Sequence, residues 1–205
     1  VRRRSSFEPE ETTNPIITLY MHTALSKSSG ELPYPLKLPV TEMQLEQAKA
    51  RMCIDEFSEA TITAIEFAPA FLVDNVPVEC VSVGIANDLA MEIEHMMQTD
   101  GELLKFFSVM EVEQPQTMGA ALDLAIDLDN YERVPDDVEE YGMSVLQRYR
   151  GDEELFDLIE DYIDYDRFAK DMMREDGVRR TEYGLIRKLD EPFPEEAQPM
   201  QMGGM

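Results

Sequence analysis

The sequence predicts an α+β fold: a small N-terminal β-α-β unit followed by a helix-rich domain. Three observations predict it. Two β-rich runs, residues 16–22 (IITLYMH) and 60–67 (ATITAIEF), flank a run of strong helix formers after Thr41. From Ile85 onward, apolar residues recur at helical spacing. The same second part carries most of the acid: from Asp123 to Asp176 there are 19 carboxylates against 6 basic side chains, about half of the net charge of −25.

The 205 residues suffice for one large or two small domains, and 43% hydrophobic content is enough to build a core. A disordered acidic tail would lack this much Leu, Ile, Val, Phe and Tyr. A pI near 4.2 opposes direct binding to nucleic acid or an anionic membrane and favours a basic protein partner. Cys53 and Cys80 form no CxxC pair and read as small buried hydrophobes. The longest apolar runs fall short of the ~18–20 residues a membrane span needs. The opening VRRRSS lacks the apolar core of a signal peptide, so a cytoplasmic location is expected.

Taken in order, residues 1–14 read as a disordered tail, 15–84 as the N-terminal α+β domain, 85–190 as the acidic domain and 191–205 as a second disordered tail. Residues 16–22 follow Pro15 and read as a strand. Residues 26–39 hold Ser, Gly and three Pro, which predicts a loop with an edge strand at 36–38. Thr41 caps a helix over EMQLEQAKARM, with Met43, Ala48 and Met52 among its apolar positions. In the strand at 60–67, strict alternation places Ile62, Ala64 and Glu66 opposite Thr61, Thr63, Ile65 and Phe67. One helix laid on a small sheet is the expected arrangement. The segment after it is punctuated by Pro69 and Pro77.

The helix at 85–97 buries Ile85, Leu89, Ile93 and Met96 or Met97. Asp100 caps the next, with Leu103, Leu104, Phe107 and Met110 inside. Thr117 caps a third, burying Ala121, Leu124, Ala125 and Leu128. Residues 130–134 are extended and closed by Pro135. Asp136 opens a helix to about Tyr149, which Gly151 stops. Asp152 starts another, with Leu155, Ile159 and Tyr162 inward. Asp164 caps a last helix with Phe168, Met172 and Met173 inside, ended by Gly177. Tyr162, Tyr165 and Phe168 are assigned to core packing. Residues 178–188 read as a strand or hairpin.

Few motifs carry chemistry. There is no GxGxxG, no GxxxxGK[ST] and no GxSxG, and His22 and His95 are the only histidines. Asp127-Leu-Asp129-Asn-Tyr131 begins like a calcium loop, but its fifth position is Tyr131 and its sixth is Glu132, where an EF-hand needs an oxygen ligand and Gly. No catalytic residue, metal site or cofactor is expected. The acid pattern remains. Glu153, Asp157, Glu160 and Asp161 form a helical stripe opposite Leu155 and Ile159. Duplex DNA carries one phosphate per ~1.7 Å of axis, so 25 net charges at that density cover about 42 Å, roughly 12 base pairs. The amount of charge matches a short duplex.

Four pieces in order carry a resemblance: Asn87-Asp88-Leu89-Ala90, LDLAIDLDNYERVPDDVEEYG at 122–142, YIDYDRFAKDM at 162–172 and TEYGLI at 181–186. Over residues 85–190 the chain resembles the ArdA antirestriction proteins of mobile genetic elements, conjugative transposons among them. Residues 1–84 show no such likeness, and Ala169 stands where the family usually has Gly. The resemblance implies an acidic, non-enzymatic homodimer that mimics DNA and occupies the DNA-binding site of a type I restriction–modification enzyme. It makes Asp123, Asp127, Asp129, Asp136, Asp137, Glu139, Glu140, Glu153, Glu154, Asp157, Glu160 and Asp161 the expected phosphate surrogates. The partner is then a DNA-binding protein with a basic groove. The alternative is an interaction protein of a mobile element with another basic target, such as a CRISPR nuclease or a conjugation protein. A carboxylate enzyme using a metal stands third.

Overall fold

The computed structural model describes residues 15–80, 82–148 and 162–193 and is of the expected α+β class. Packing divides the chain into two compact units: Val1–Asp100 with Pro115–Ile126, and Gly101–Gln114 with Asp127–Met205. The polarity shift near residue 84 coincides with the start of a helix inside the first unit.

In the first unit, strands β1 (Ile17–Thr23), β2 (Tyr34–Leu38) and β3 (Ala60–Phe67) form an antiparallel sheet in the order β2-β1-β3. Central β1 buries Ile17, Leu19 and Met21. In β3, strict alternation fails. Leu19 pairs with Ile65 and Met21 with Ile62, because a bulge falls between Tyr20 and Met21. Thr63, the extra residue, donates its hydroxyl to the Tyr20 carbonyl at 3.0 Å. The bulge lets Ile62 and Ile65 share a face that a regular strand would deny them.

The stretch expected as a loop contains a short helix, α1 (Ala24–Ser29). Thr23 and Ser26 cap each other's backbone N–H, at 3.0 and 3.1 Å, and Gly30 ends the helix at φ 72°. None of its residues is buried, so it left no apolar period in the sequence. Helix α2 (Glu42–Met52) starts at Thr41 as expected, but buries only Ala48 and leaves Met43 68% exposed. The helix that packs on β1 and β2 is α3 (Val83–Gln98), which also packs on α5 (Met118–Ile126). Ser82 caps α3. From α3, the buried Asn87 amide accepts from the Val40 N–H at 2.8 Å and donates to the Val40 carbonyl at 3.1 Å. The motif residue Asn87 thus pins the chain leaving β2.

The second unit is built on α4 (Glu102–Glu113), β4 (Tyr131–Val134), α6 (Val138–Arg148), α7 (Tyr165–Glu175), β5 (Arg179–Thr181) and β6 (Gly184–Lys188). The strands form an antiparallel sheet in the order β4-β6-β5, so residues 178–188 are the hairpin expected. Gly101, at φ 81°, precedes α4 as its cap in place of Asp100. Leu104 is exposed, while Phe106, Phe107, Val109 and Met110 are buried. All three strands pack on α4, so its second half is enclosed more widely than a single stripe predicts.

Helices α6 and α7 pack together around Val134, Tyr141, Val145, Ala169 and Leu185, with Phe168, Met172 and Met173 partly buried beside them. Gly142 lies in their contact. A Cβ there would lie 2.9 Å from the Ala169 Cβ and 3.2 Å from the Tyr165 carbonyl oxygen. Ala169 and Gly142 thus share the space, with the methyl group on Ala169 alone. Tyr162 does not join this core. It precedes the Asp164 cap of α7 and is 88% exposed. Phe193 is buried and stacks on Tyr131, and residues 194–205 of the expected tail lie outside the described residues. The helix expected from Asp152, with Leu155 and Ile159 inward, lies outside the described residues. Among the described residues no helix is long and apolar enough to cross a membrane.

Candidate functional site

The candidate site is a charged surface, so the question is which carboxylates the fold uses and which it leaves to solvent. In the second unit many are used. Glu132 and Arg187 lie opposite each other on β4 and β6. Arg187 donates Nε and Nη2 to Glu132 Oε2, at 2.8 and 2.5 Å, and Nη1 to Asp176 Oδ2 at 3.1 Å. The same Asp176 oxygen accepts the buried Tyr141 hydroxyl at 2.5 Å. One network therefore ties α6, the end of α7 and the sheet. In a second network, Glu113 accepts from the Tyr131 hydroxyl at 2.7 Å and from Lys188 Nζ at 3.3 Å.

Two of the expected surrogates also serve the fold. Asp137, not Asp136, caps α6, accepting from the Glu140 N–H at 3.0 Å. Asp136 accepts from the Leu185 N–H at 3.0 Å and lies 4.0 Å from Arg133. Arg133 donates to the Tyr183 carbonyl at 2.9 Å. These groups close on Gly184, at φ 126°, where a Cβ would sit 2.7 Å from Arg133 Nη2 and 2.8 Å from Asp136 Oδ1. Thr181 completes the turn, with its Oγ1 2.7 Å from the Gly184 carbonyl. The TEYGLI motif thus builds a hairpin.

The remaining described surrogates are solvent-facing. Asp123 lies exposed on α5 in the first unit. In the second unit, Asp127 and Asp129 are exposed around the turn before β4, and Glu139 and Glu140 on the first turn of α6. None of these five carboxylates makes a hydrogen bond or ion pair among the described residues. On α7, by contrast, Asp166 pairs with Lys170 at 2.6 Å and Asp171 with Arg174 at 3.1 Å, while Asp164 caps the helix. Sequence counting could not separate the two sets, because partners such as Leu185 for Asp136 lie 49 positions away. Glu153, Glu154, Asp157, Glu160 and Asp161 lie outside the described residues.

Among the described residues no group of three or more His, Cys, Asp or Glu is placed to hold a metal ion. A cavity of about 370 Å³ in the second unit is lined by Glu111, Glu113, Gln114, Arg179, Arg180 and Phe193, but its carboxylates are already engaged.

The two buried phenols carry a pH dependence. Burial, then the Glu113 hydrogen bond and charge, pushes the Tyr131 hydroxyl well above its ordinary range. Burial, then Asp176, does the same to Tyr141. Unfolded phenols release their protons near pH ~10, while these two hold theirs to higher pH. The folded state then binds more protons than the unfolded one, so stability is full below pH ~10 and is lost as pH rises toward the folded values. Thermal melts should fall in midpoint between about pH 9.5 and 11.5. The double variant Tyr131→Phe/Tyr141→Phe should show a shallower fall, and an equally steep one would contradict this assignment.

A family model described as antirestriction protein (ArdA) matches residues 30–187. That is well over half of the chain, and it takes in residues 30–84, which lie outside the four motif pieces. No curated protein matches the chain. The chain belongs to the ArdA antirestriction family.

Proposed function

We propose that this ArdA chain is a non-enzymatic inhibitor that mimics DNA in the binding site of a type I restriction–modification enzyme. Its exposed carboxylates stand in for phosphates, and it works in the cytoplasm as a homodimer. The observation that carries the reading is the sorting of charge. Lys105, Arg133, Lys170, Arg174, Arg187 and Lys188 are all drawn into pairs with carboxylates. Asp127, Asp129, Glu139 and Glu140 are left unpaired toward solvent. A protein with net charge −25, in which these six cations already face carboxylates of its own, presents acid to any basic groove. Asp123 and the stripe Glu153, Glu154, Asp157, Glu160 and Asp161 belong to the same proposal. Asp136 and Asp137 do so as well, although the fold already uses them.

The test is cleavage of a plasmid by a purified type I restriction–modification enzyme. The chain should block cleavage, and raising the concentration of the plasmid itself should relieve the block. Inhibition that no excess of plasmid relieves would exclude mimicry.

A further inference from the structure

The chain leaves Phe193 from a fixed point. The Phe193 ring is buried and stacks on Tyr131, with centroids 6.1 Å apart. Its backbone presses on Gly177, at φ 62°, where a Cβ would lie 2.8 Å from the Phe193 nitrogen and 2.9 Å from the Pro192 Cβ. Phe193 also lines the cavity of about 370 Å³, together with Arg179 and Arg180 of β5. The sequence continues Pro194-Glu195-Glu196. At no more than ~3.6 Å per residue, Glu195 starts within about 7 Å of Phe193 and Glu196 within about 11 Å. The cavity is basic for so acidic a chain. Of its two carboxylates, Glu113 is answered by Lys188 and the Tyr131 hydroxyl, and Glu111 accepts from the Glu182 N–H. Two guanidiniums then stand against the single charge of Glu111. Arg180 is exposed, and its side chain makes no hydrogen bond or ion pair among the described residues.

We propose that this cavity seats the chain's own residues 194–196, with the carboxylates of Glu195 and Glu196 answering Arg180 and Arg179. Charge complementarity and the anchored exit at Phe193 select this occupant. Tethering does the rest. An exposed ion pair holds separate molecules together weakly, but a segment that starts at the cavity rim meets it at an effective concentration in the millimolar range. Pro194 also reduces the number of conformations the segment gives up on docking. The basic pair of β5 is then neutralised within the chain, as Arg187 and Lys188 are on β4 and α4. The inference does not depend on what the acidic surface binds.

The experiment digests the full chain with a glutamate-specific protease and follows release of the peptide that begins at Ala197. Rates are taken relative to a synthetic peptide of residues 190–205, which cancels any effect of salt on the protease. Cleavage reports the fraction of chains whose segment is unseated. Arg180→Gln should speed release about threefold at low salt, the size an exposed ion pair supports. The gain should vanish at high salt, where the attraction is screened. Arg180→Lys should keep most of the parent's protection. Arg167→Gln makes the same charge change at an exposed site on α7 and should leave the rate unchanged. Arg180 is exposed, so melts of its variants should stay near the parent's. Release from Arg180→Gln at the parent's rate overturns the proposal, and so does a gain that survives high salt. A rise in the parent's melting midpoint with millimolar inorganic phosphate, abolished by Arg180→Gln, would give the cavity to a free anion and overturn it too.

Discussion

Converting Asp127, Asp129, Glu139 and Glu140 together to Asn and Gln should lower inhibition by roughly 30-fold while the protein stays folded. Each is an exposed charge, and such charges contribute ~0–1 kcal/mol apiece to a contact. Single replacements should therefore be nearly silent. The four together should be visible, because all are unpaired among the described residues and all favour the same basic partner. The fold should lose little: no backbone N–H depends on these side chains, and relieved repulsion offsets the lost attraction of Glu139 and Glu140 to the N-terminus of α6. Asp166→Asn/Asp171→Asn on α7 is the control. Those carboxylates already face Lys170 and Arg174, so their loss should change inhibition by less than about twofold. An equal loss from the α7 pair would mean that total charge matters and placement does not.

Gly142→Leu should destabilise the second unit by about 3 kcal/mol, the upper part of the range for overpacking a close-fitted core. Even a lone Cβ at 142 would lie within 2.9 Å of the Ala169 Cβ, and a leucine adds three more carbons between α6 and α7. The helices would have to separate, pulling Tyr141 away from Asp176 and from the Arg187 network. Denaturant titration gives the size of the effect. The swap Gly142→Ala/Ala169→Gly separates crowding from helix propensity. It restores one methyl group to the interface, leaving the Tyr165 carbonyl contact at 3.2 Å as the residual strain. The swap should recover most of what Gly142→Ala loses. A swap as unstable as Gly142→Ala alone would show that the Ala169 contact is not the cause.

Much of the fold was legible because local chemistry set it. Thr41, Thr117 and Asp164 cap helices that begin where apolar periodicity begins. Residues 178–188 carry a hairpin's pattern, and Gly184 supplies the positive φ its turn needs. What was not legible depends on distant partners. Helix α1 is held by caps alone and buries nothing. The β3 bulge is decided by which residues of β1 lie opposite. Tyr162 looks like core by helical phase, yet it falls before the α7 cap and is exposed. The candidate surface behaves in the same way. Composition shows that acid is in excess, but only the fold shows that Asp136 holds Leu185 and that Asp176 holds Tyr141, while Glu139 and Glu140 are left to solvent.

The most direct measurement is whether the chain and DNA can occupy the enzyme together. A labelled duplex carrying the recognition sequence is bound to a type I restriction–modification enzyme, and the chain is titrated in at two salt concentrations. Mimicry predicts displacement of the duplex with no ternary complex, and weaker competition by the chain as salt rises. A stable ternary complex of enzyme, duplex and chain would contradict it.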